Sequence, residues 1–379
     1  MQFTINRNGF IAELNNVLRA VASKTTLEIL TNLKLEATER QLVLTGSNSD
    51  ITIQSTIAVD AGQAGLVIEE PGAILLPARF FADIIKKLPA DTVTLAVKTG
   101  FLATITSGAA EFKINGQDAV NYPNLPEVEG DQSVQVAPDL LREVIEQTRI
   151  AVSKQESRPI LTGIHVLLTG TQLTAIATDS HRLAQRKVDL PAPVEVPADV
   201  VIPGASLTEL ARMIADQKDP LDLLIAENQV LFKFGHTLFY SRLLEGKYPD
   251  TSRLIPESSD TSLEMDANEL LAAIGRASLL SHQGRTNVIK LSLTPEDNGA
   301  KLSGTSADVG VVEEDLHFDQ VSGQDLEISF NPDYMSDALK SFGGAKVRLA
   351  FTSALRPFTL VPVEDQENFV QLITPVRTF

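Results

Sequence analysis

The sequence predicts an α+β fold in which one unit, roughly a third of the chain in length, occurs three times. Two observations support this prediction. Similar segments recur along the chain at a nearly constant offset, which is the signature of an internal repeat. Each copy also combines two helix-periodic segments with several short alternating runs. Such a mixture favours helices segregated to one face of antiparallel sheets.

The repeat is carried by specific residue pairs in the aligned copies. One constant offset relates the first copy to the second, and slightly shorter offsets relate the second copy to the third and the later halves of the first two. The pairs include Leu30 with Leu161, Ser49 with Ser180, Leu161 with Val288, and Pro77 with Pro203. A unit of this length exceeds a solenoid repeat, so each copy can hold its own hydrophobic core.

Two helical segments are predicted in each copy. In the first, Phe10, Leu14, Val17 and Val21 recur at the spacing of one helix face. The six helical windows, with their basic loop ends, are 8–24, 78–88, 138–158, 204–218, 266–285 and 333–346. Gly343 and Gly344 predict the end of the helix that begins at Asp333, because glycine is favoured just beyond a helix C-terminus.

The predicted strands are short alternating runs separated by turn residues. Examples are 42–44 and 51–53 in the first copy and 230–232 in the second. Segments 125–132 and 255–261 have the composition of loops and separate the copies, which predicts domains at 1–126, 130–254 and 258–379.

The composition restricts the function classes that are open to this chain of 379 residues. It contains no cysteine, which excludes disulfides, thiolate metal sites and cysteine nucleophiles. The N-terminus lacks the pattern of a signal peptide, and no apolar run approaches the ~18 residues of a membrane span. We therefore expect a cytoplasmic protein with no membrane partner.

The net charge of −17 argues at first against nucleic acid, because DNA affinity comes largely from neutralising phosphates. The helical windows nevertheless carry slightly more basic than acidic residues, so the acidity lies mainly in the sheets and loops. A helix-lined surface of this kind suits weak, non-specific contact with a phosphate backbone. Helices with mixed, solvated charges are the alternative interpretation.

Asp179, Ser180 and His181 have the residue types of a hydrolase triad, and a hydrolytic enzyme is one alternative function. Triads, however, are assembled from distant segments, and consecutive residues rarely reach that geometry. The histidines lack metal-ligand spacing, and segment 343–346 lacks the P-loop pattern. The sequence therefore predicts no metal, cofactor or nucleotide site. A second alternative is a protein-only scaffold of repeated domains.

Five segments together resemble the bacterial sliding clamps, the β subunits of DNA polymerase III. They are SRPILTG (157–163), ATDSHRLA (177–184), RLLEGKYPDTSRLIP (242–256), SFNPDY (329–334) and QLITPVR (371–377). The resemblance extends over the whole chain and is strongest in the second and third copies.

This resemblance implies three similar domains of the DNA clamp fold, each with two helices on antiparallel sheets, in a ring-shaped head-to-tail homodimer. It implies a non-catalytic processivity factor that encircles duplex DNA. The implied partners are the replicative polymerase, the clamp loader and other clamp-motif proteins such as repair polymerases, mismatch-repair proteins and ligase.

The resemblance also implies site residues. The partner-peptide site would comprise Arg158, Leu161, Thr178, His181, Arg182, Leu183, Pro249, Arg253, Leu254, Tyr334, Leu355, Leu372, Thr374, Pro375, Val376 and Arg377. The DNA contacts would be Lys24, Arg149, Lys154, Gln155 and Arg158, and the dimer contacts Phe112, Ile114, Leu279 and Leu280. Thr374 and the pair Pro159-Ile160 depart from the larger apolar or aromatic residues of many clamps, which bears on peptide preference and on DNA contact near residue 159.

Overall fold

The computed structural model describes residues 1–22, 25–59, 64–125, 133–283 and 287–377. The chain forms two compact units. The first unit contains Met1–Pro138 and Arg212–Leu243, and the second contains Asp139–Ala211 and Leu244–Phe379. The predicted domain boundaries lie at other positions, and the boundary near residue 126 falls outside the described residues. The predicted domain boundaries therefore stay predictions.

Six α-helices occur within the described residues. They are α1 (Arg7–Leu18), α2 (Ala78–Lys87), α3 (Pro138–Thr148), α4 (Gly204–Met213), α5 (Ala267–Ser281) and α6 (Pro332–Ser341). Each coincides with one of the six predicted windows, two to a copy, although α1 and α6 begin one residue before their windows. Asn6, Asp266 and Asn331 cap α1, α5 and α6 by accepting hydrogen bonds from first-turn N–H groups. None of the helices in the described residues is long and apolar enough to cross a membrane.

The ends of two helices can be compared with the predicted windows: α6 ends as predicted, whereas α3 ends earlier. Gly343 follows α6 with φ of 63°, a left-handed conformation that glycine adopts without strain, so this predicted helix end is confirmed. By contrast, α3 ends at Thr148, well short of residue 158. Thr148 hydrogen-bonds back to the Val144 carbonyl, and a short 3-10 turn follows at Arg149–Ala151.

Two antiparallel sheets form the first unit. The first sheet has the order β5-β1-β7-β8-β9, and the second has the order β10-β15-β16-β17-β4-β3-β2-β6. Their strands are β1 (Gln2–Asn6), β2 (Asn32–Ala37), β3 (Gln41–Ser47), β4 (Ile51–Ala58), β5 (Val67–Glu70), β6 (Gly72–Pro77), β7 (Thr92–Lys98), β8 (Leu102–Ser107), β9 (Ala110–Asn115), β10 (Val134–Val136), β15 (Leu221–Ile225), β16 (Gln229–Phe234) and β17 (Thr237–Arg242).

Two antiparallel sheets also form the second unit. The third sheet has the order β14-β11-β12-β13-β26-β25-β24-β18-β22, and the fourth has the order β21-β20-β19-β23. Their strands are β11 (Gly163–Thr169), β12 (Gln172–Thr178), β13 (Arg182–Asp189), β14 (Ala198–Pro203), β18 (Thr261–Asp266), β19 (Ile289–Thr294), β20 (Gly299–Ser306), β21 (Gly310–Asp315), β22 (Gln320–Gly323), β23 (Leu326–Phe330), β24 (Lys346–Phe351), β25 (Phe358–Pro362) and β26 (Phe369–Ile373).

The second and third sheets are each completed by strands from distant parts of the sequence. In the second sheet, β4 pairs with β17 and Ile51 lies opposite Ser241. In the third sheet, β13 pairs with β26 and Arg182 lies opposite Ile373. Because Ile51 and Arg182 occupy the same position in the first and second copies, the two pairings are equivalent. The repeat seen in the sequence is therefore also a repeat of sheet construction.

Each unit has a core of aromatic and aliphatic side chains. In the first unit, Phe10 makes edge contacts at 6.0 Å between ring centroids with both Phe3 and Phe81. This brings β1, α1 and α2 together around buried rings, an arrangement that favours edge-to-face aromatic packing. In the second unit, Phe358 packs between Phe330 and Phe351.

Candidate functional site

A cavity of about 460 Å³ lies in the second unit. It is lined by Arg158, Ile160, Leu161, Thr178, Ser180, Pro249, Thr251 and Leu254. These residues come from three places: the 3-10 turn before β11, the turn after β12, and the loop around residue 250. The volume and the mixture of apolar side chains with a few polar groups are typical of a ligand site.

The turn between β12 and β13 forms one wall of the cavity, and its side chains hold its shape. Thr178 Oγ1 accepts a hydrogen bond from Ser180 N at 3.2 Å and donates to the Arg182 carbonyl at 2.7 Å. Asp179 Oδ1 accepts from the backbone N–H groups of His181 and Arg182 at 2.9 and 3.0 Å. Such local bonds from Thr and Asp are the usual means of fixing a turn.

The cavity rests on a buried apolar cluster. Leu161, Leu183 and Leu372 pack there with Tyr248. The Tyr248 hydroxyl accepts a hydrogen bond from Thr178 N at 3.0 Å, which ties the cluster to the turn above it. Burial raises the pKa of Tyr248 to about 12, so this hydroxyl stays protonated at neutral pH.

Arg182 follows the turn in the sequence, and its side chain forms two ion pairs and an aromatic contact within the second unit. Its side chain is 10% exposed and donates from Nε to Asp179 at 3.0 Å and from Nη1 to Asp337 at 2.8 Å. The guanidinium also lies 4.6 Å from the ring centroid of Tyr334, and His181 stacks on the same ring. Arg182 therefore stabilises the cavity wall, although the resemblance implied a contact with a bound peptide.

The structure places five of the expected peptide-site residues on the cavity surface: Arg158, Leu161, Thr178, Pro249 and Leu254. Those not among its lining residues are His181, Arg182, Leu183, Arg253, Tyr334, Leu355, Leu372, Thr374, Pro375, Val376 and Arg377. The C-terminal segment still follows the turn, since Thr374 N donates to the His181 carbonyl at 2.9 Å.

Ile160, Ser180 and Thr251 line the cavity but were not among the expected site residues. A signal for Ser180 was present in the repeat, because it aligns with Ser49 at an equivalent turn. Thr251 lies in the clamp-like segment 242–256, but no pattern within that segment distinguishes it from its neighbours.

The side chains of Asp179, Ser180 and His181 do not form a proton relay. Asp179 binds the turn backbone and Arg182, and Ser180 Oγ accepts from Arg158 Nη1 at 3.2 Å. A triad requires the histidine ring to lie between the acid and the hydroxyl. In the part of the chain that the structure describes, no group of three or more potential ligand side chains is arranged to hold a metal ion.

Four of the residues expected to contact DNA lie in or after the 3-10 turn that follows α3: Arg149, Lys154, Gln155 and Arg158. Arg149, Lys154 and Gln155 are exposed. Lys24 lies outside the described residues. The side chains of Arg149, Lys154 and Gln155 are therefore accessible to a ligand.

The expected dimer residues differ in exposure. Phe112 on β9, the edge strand of the first sheet, is 40% exposed, and Leu279 near the end of α5 is 68% exposed. Leu280 is partly exposed. Ile114 is only 8% exposed, so it packs within its own unit and offers little surface to a second chain.

Three family models match the chain in sequence order. They describe the N-terminal, central and C-terminal domains of the DNA polymerase III beta subunit, and they match residues 1–126, 135–250 and 252–377. The chain belongs to the DNA polymerase III beta subunit family. Together the three matches cover nearly the whole sequence, so the repeat corresponds to the three domains of this family.

Individual beta subunits are similar over their full lengths. The chain is 48% identical to the beta sliding clamp of Bacillus subtilis and 46% identical to that of Staphylococcus aureus, with complete coverage of both chains. The solved structure of the Bacillus subtilis DNA polymerase sliding clamp matches with a TM-score of 0.97, 47% identity and complete coverage. The solved structure of the beta subunit from the DNA polymerase of Streptococcus pyogenes matches with a TM-score of 0.95, 41% identity and complete coverage.

These comparisons identify the class of function. The beta subunit is a sliding clamp, a non-catalytic processivity factor of DNA polymerase III, and its similarity to this chain extends over the full length. The hydrolase interpretation is therefore wrong, in agreement with the geometry around Asp179.

Proposed function

We propose that two copies of this chain close head to tail into a ring around duplex DNA and tether the replicative polymerase to it. The full-length match to three clamp domains carries this proposal. A topological mode of retention also accounts for the charge, since a chain of net charge −17 cannot rely on neutralising phosphates. Weak backbone contacts would leave the ring free to slide.

We propose that the dimer forms between the edge of the first sheet in one copy and the end of α5 in the other. Edge strands carry unpaired backbone groups and are natural sites for chain association. Phe112 on the edge strand and Leu279 on the helix are exposed apolar side chains of the kind that such a contact buries. The contact would be heterologous, so it closes only at the correct rotation.

The cavity of the second unit is the proposed docking site for partner proteins. Its apolar floor would take aliphatic side chains of a short linear peptide, and Arg158, Thr178 and Thr251 would orient the peptide. The polymerase, the clamp loader and other clamp-motif proteins would compete for this one site. The DNA contacts would come from Lys24, Arg149, Lys154, Gln155 and Arg158. Replication of a bacterial chromosome places this activity in the cytoplasm.

The test is retention on DNA of defined topology. The protein is loaded onto nicked circular plasmid with the clamp loader of the same organism, and bound protein is measured before and after one restriction cut. We expect the protein to be retained on the circle and to slide off the linear form. Equal retention on both forms would contradict the proposal. Electron micrographs of the same preparation should show closed rings, whereas a protein-only scaffold predicts no central hole.

A further inference from the structure

His165 on β11 stacks on Tyr248, the residue that precedes the loop wall of the cavity. The two ring centroids are 4.7 Å apart and the ring planes differ by 25°. This spacing lies in the range of aromatic pairs that stabilise proteins beyond the burial of their surface. The side chain of His165 is 12% exposed, so the imidazole is packed into the second unit rather than displayed to solvent.

Asp199 holds the imidazole ring in place. Its Oδ1 lies 2.7 Å from Nε2 of His165, and the aspartate side chain is 76% exposed on β14, the edge strand of the third sheet. Nδ1 of the same ring is buried and has no hydrogen-bond partner among the residues that the structure describes. The contact with Asp199 is therefore the polar contact that orients the ring, and it needs a proton on Nε2.

Tyr248 connects the imidazole to two walls of the cavity. Its hydroxyl accepts a hydrogen bond from Thr178 N at 3.0 Å, at the start of the turn between β12 and β13. Pro249 and Thr251 follow it closely in the loop, and both of them line the cavity, as does Thr178. The position of the Tyr248 ring therefore determines where both walls lie.

The first copy of the repeat shows which parts of this arrangement accompany the cavity. A tyrosine, Tyr122, stands at the equivalent position, and its ring is buried in an apolar cluster of the first unit. At the same offsets, however, Lys34 stands where the second copy has His165, and Ala73 stands where it has Asp199. The tyrosine is common to the two copies, whereas the stacked histidine and its aspartate are present only in the second of them.

We propose that His165, oriented by Asp199, is a positioning residue for partner docking and acts through Tyr248 to keep the cavity open to a peptide. Stacking restrains the tyrosine ring, and the hydroxyl then holds the turn, so both walls are in place before a ligand arrives. A preformed site binds more tightly because less ordering is needed on association. This inference rests on the proposed docking function and concerns the geometry of the site, not the choice among peptides.

The test measures the affinity of one peptide for the wild type and for variants that change the stack. The intact protein is titrated with acetyl-Leu-Ser-Leu-Leu-amide, and binding is followed by NMR. His165→Lys installs the residue of the first copy and removes the stacked ring. We expect this variant to bind about two to ten times more weakly, the range that an aromatic pair contributes. His165→Phe keeps a ring that can stack and should recover most of the affinity.

An aspartate variant tests the orientation of the ring. Asp199→Ala releases the imidazole and leaves the buried cluster intact, because the aspartate side chain is exposed. It should weaken peptide binding by about two-fold, the effect of losing a partly exposed polar pair. Asp189→Ala is the matched control, since Asp189 is an exposed aspartate on β13 of the same sheet, and it should leave the affinity unchanged.

A double-mutant cycle separates positioning from a merely structural role. Tyr248→Phe keeps the stacked ring but cannot accept a hydrogen bond from Thr178 N, so it breaks the connection to the turn. The loss of affinity caused by His165→Lys should therefore be smaller in the Tyr248→Phe background, because the two changes interrupt one path. Fluorine NMR of fluorotyrosine-labelled protein reports the rings directly. In His165→Lys the Tyr248 signal should move, and the Tyr122 signal should not.

Three results would overturn the inference: equal peptide affinities of the wild type and His165→Lys, no recovery in His165→Phe, or additive losses in the cycle, which would show that His165 acts independently of Tyr248. Any of these, with a wild type that binds the peptide, counts against the inference alone. A wild-type protein that does not bind the peptide counts against the proposed docking function itself, and the inference falls with it.

Discussion

At the residue scale, Gly46 shows how closely α1 approaches the second sheet. A Cβ atom at this position would lie 2.8 Å from the carbonyl oxygen of Val17 and 2.9 Å from the Val21 side chain. Atoms at these distances overlap, so the strand or the helix must shift to admit any larger residue. The glycine in β3 is therefore required by packing against the helix, which explains why the strand has no side chain at this position.

We predict that Gly46→Ala lowers the free energy of unfolding by about 1–3 kcal/mol, the usual cost of overpacking a core. Gly275→Ala is the matched control. Gly275 lies inside α5 with no atom within 4 Å of an added Cβ. Alanine is the better helix former, so this variant should gain about 0.5–1 kcal/mol. Urea unfolding measures both changes, and equal effects of the two variants would contradict the assignment.

The sequence predicted features that depend on neighbouring residues but did not predict contacts between residues far apart in the chain. Local signals were sufficient for the end of α6 at Gly343, because helix termination depends on neighbouring residues. The role of Arg182 was not predictable in this way. Its partner Asp337 is 155 residues away in the sequence, and only folding brings that carboxylate to the guanidinium. Five of the expected peptide-site residues line the cavity, but the sequence did not distinguish lining residues from supporting ones.

At the element scale, the equivalent pairings of β4 with β17 and of β13 with β26 carry different charged groups. Beside the first pairing, Glu13 on α1 accepts hydrogen bonds from His236 Nε2 at 2.8 Å and from the Ser55 hydroxyl. Beside the second, Arg186 on β13 binds Glu143 and Asp365. Ser55 and Arg186 occupy the same position in the two copies. The cation beside the pairing of β4 with β17 is thus a histidine, whose charge depends on pH. The cation beside the pairing of β13 with β26 is an arginine, which stays charged.

The hydrogen bond to Glu13 raises the pKa of His236 above its usual value. Burial alone would raise the pKa of Glu13, but hydrogen bonds from His236 and Ser55 outweigh it and lower that pKa. The histidine contribution to stability is thus complete below pH 6.5 and is lost as the pH rises through its raised pKa. The glutamate contribution is lost as the pH falls below its ordinary pKa of 4.5 towards its lowered pKa.

We predict that Glu13→Gln brings the pKa of His236 down towards its ordinary value of 6.5. NMR titration of the His236 ring resonances measures this directly. Lys34→Gln is a control, because Lys34 pairs with Glu36 elsewhere in the first unit and should leave the His236 titration unchanged. An identical His236 titration curve in the wild type and in Glu13→Gln would show that the ion pair does not form in solution.

At the scale of the whole molecule, the sequence repeat predicted the architecture better than it predicted the site. Apolar periodicity identified all six helices of the described residues, because helix faces repeat within a few residues. Apolar periodicity did not predict strand partners such as β17 for β4, because pairing between distant strands leaves no local pattern in the sequence. The mixture of helices and antiparallel sheets and the clamp fold are confirmed, whereas the site residues and domain boundaries stay predictions.

The proposed dimer contact leads to a prediction about assembly. Phe112→Asp or Leu279→Asp should convert dimers to monomers at micromolar concentration, because a carboxylate buried in an apolar contact is costly. Val120 is 81% exposed but lies outside the proposed contact, so Val120→Asp is a matched control that should remain dimeric. Sedimentation velocity distinguishes the two states. A dimer that survives both Phe112→Asp and Leu279→Asp would place the contact elsewhere.

The pairing of distant strands also constrains how the chain is made. While the ribosome synthesises residues 59–236, β4 has no β17 to pair with and presents an open strand edge. At ordinary rates of synthesis this interval lasts on the order of ten seconds. β13 is likewise unpaired on one side until its partner β26 is synthesised, and β26 is the final strand among the described residues. A nascent chain of this protein therefore spends most of its synthesis with an unsatisfied edge, and a ribosome that stalls before residue 369 releases a product that cannot complete its third sheet.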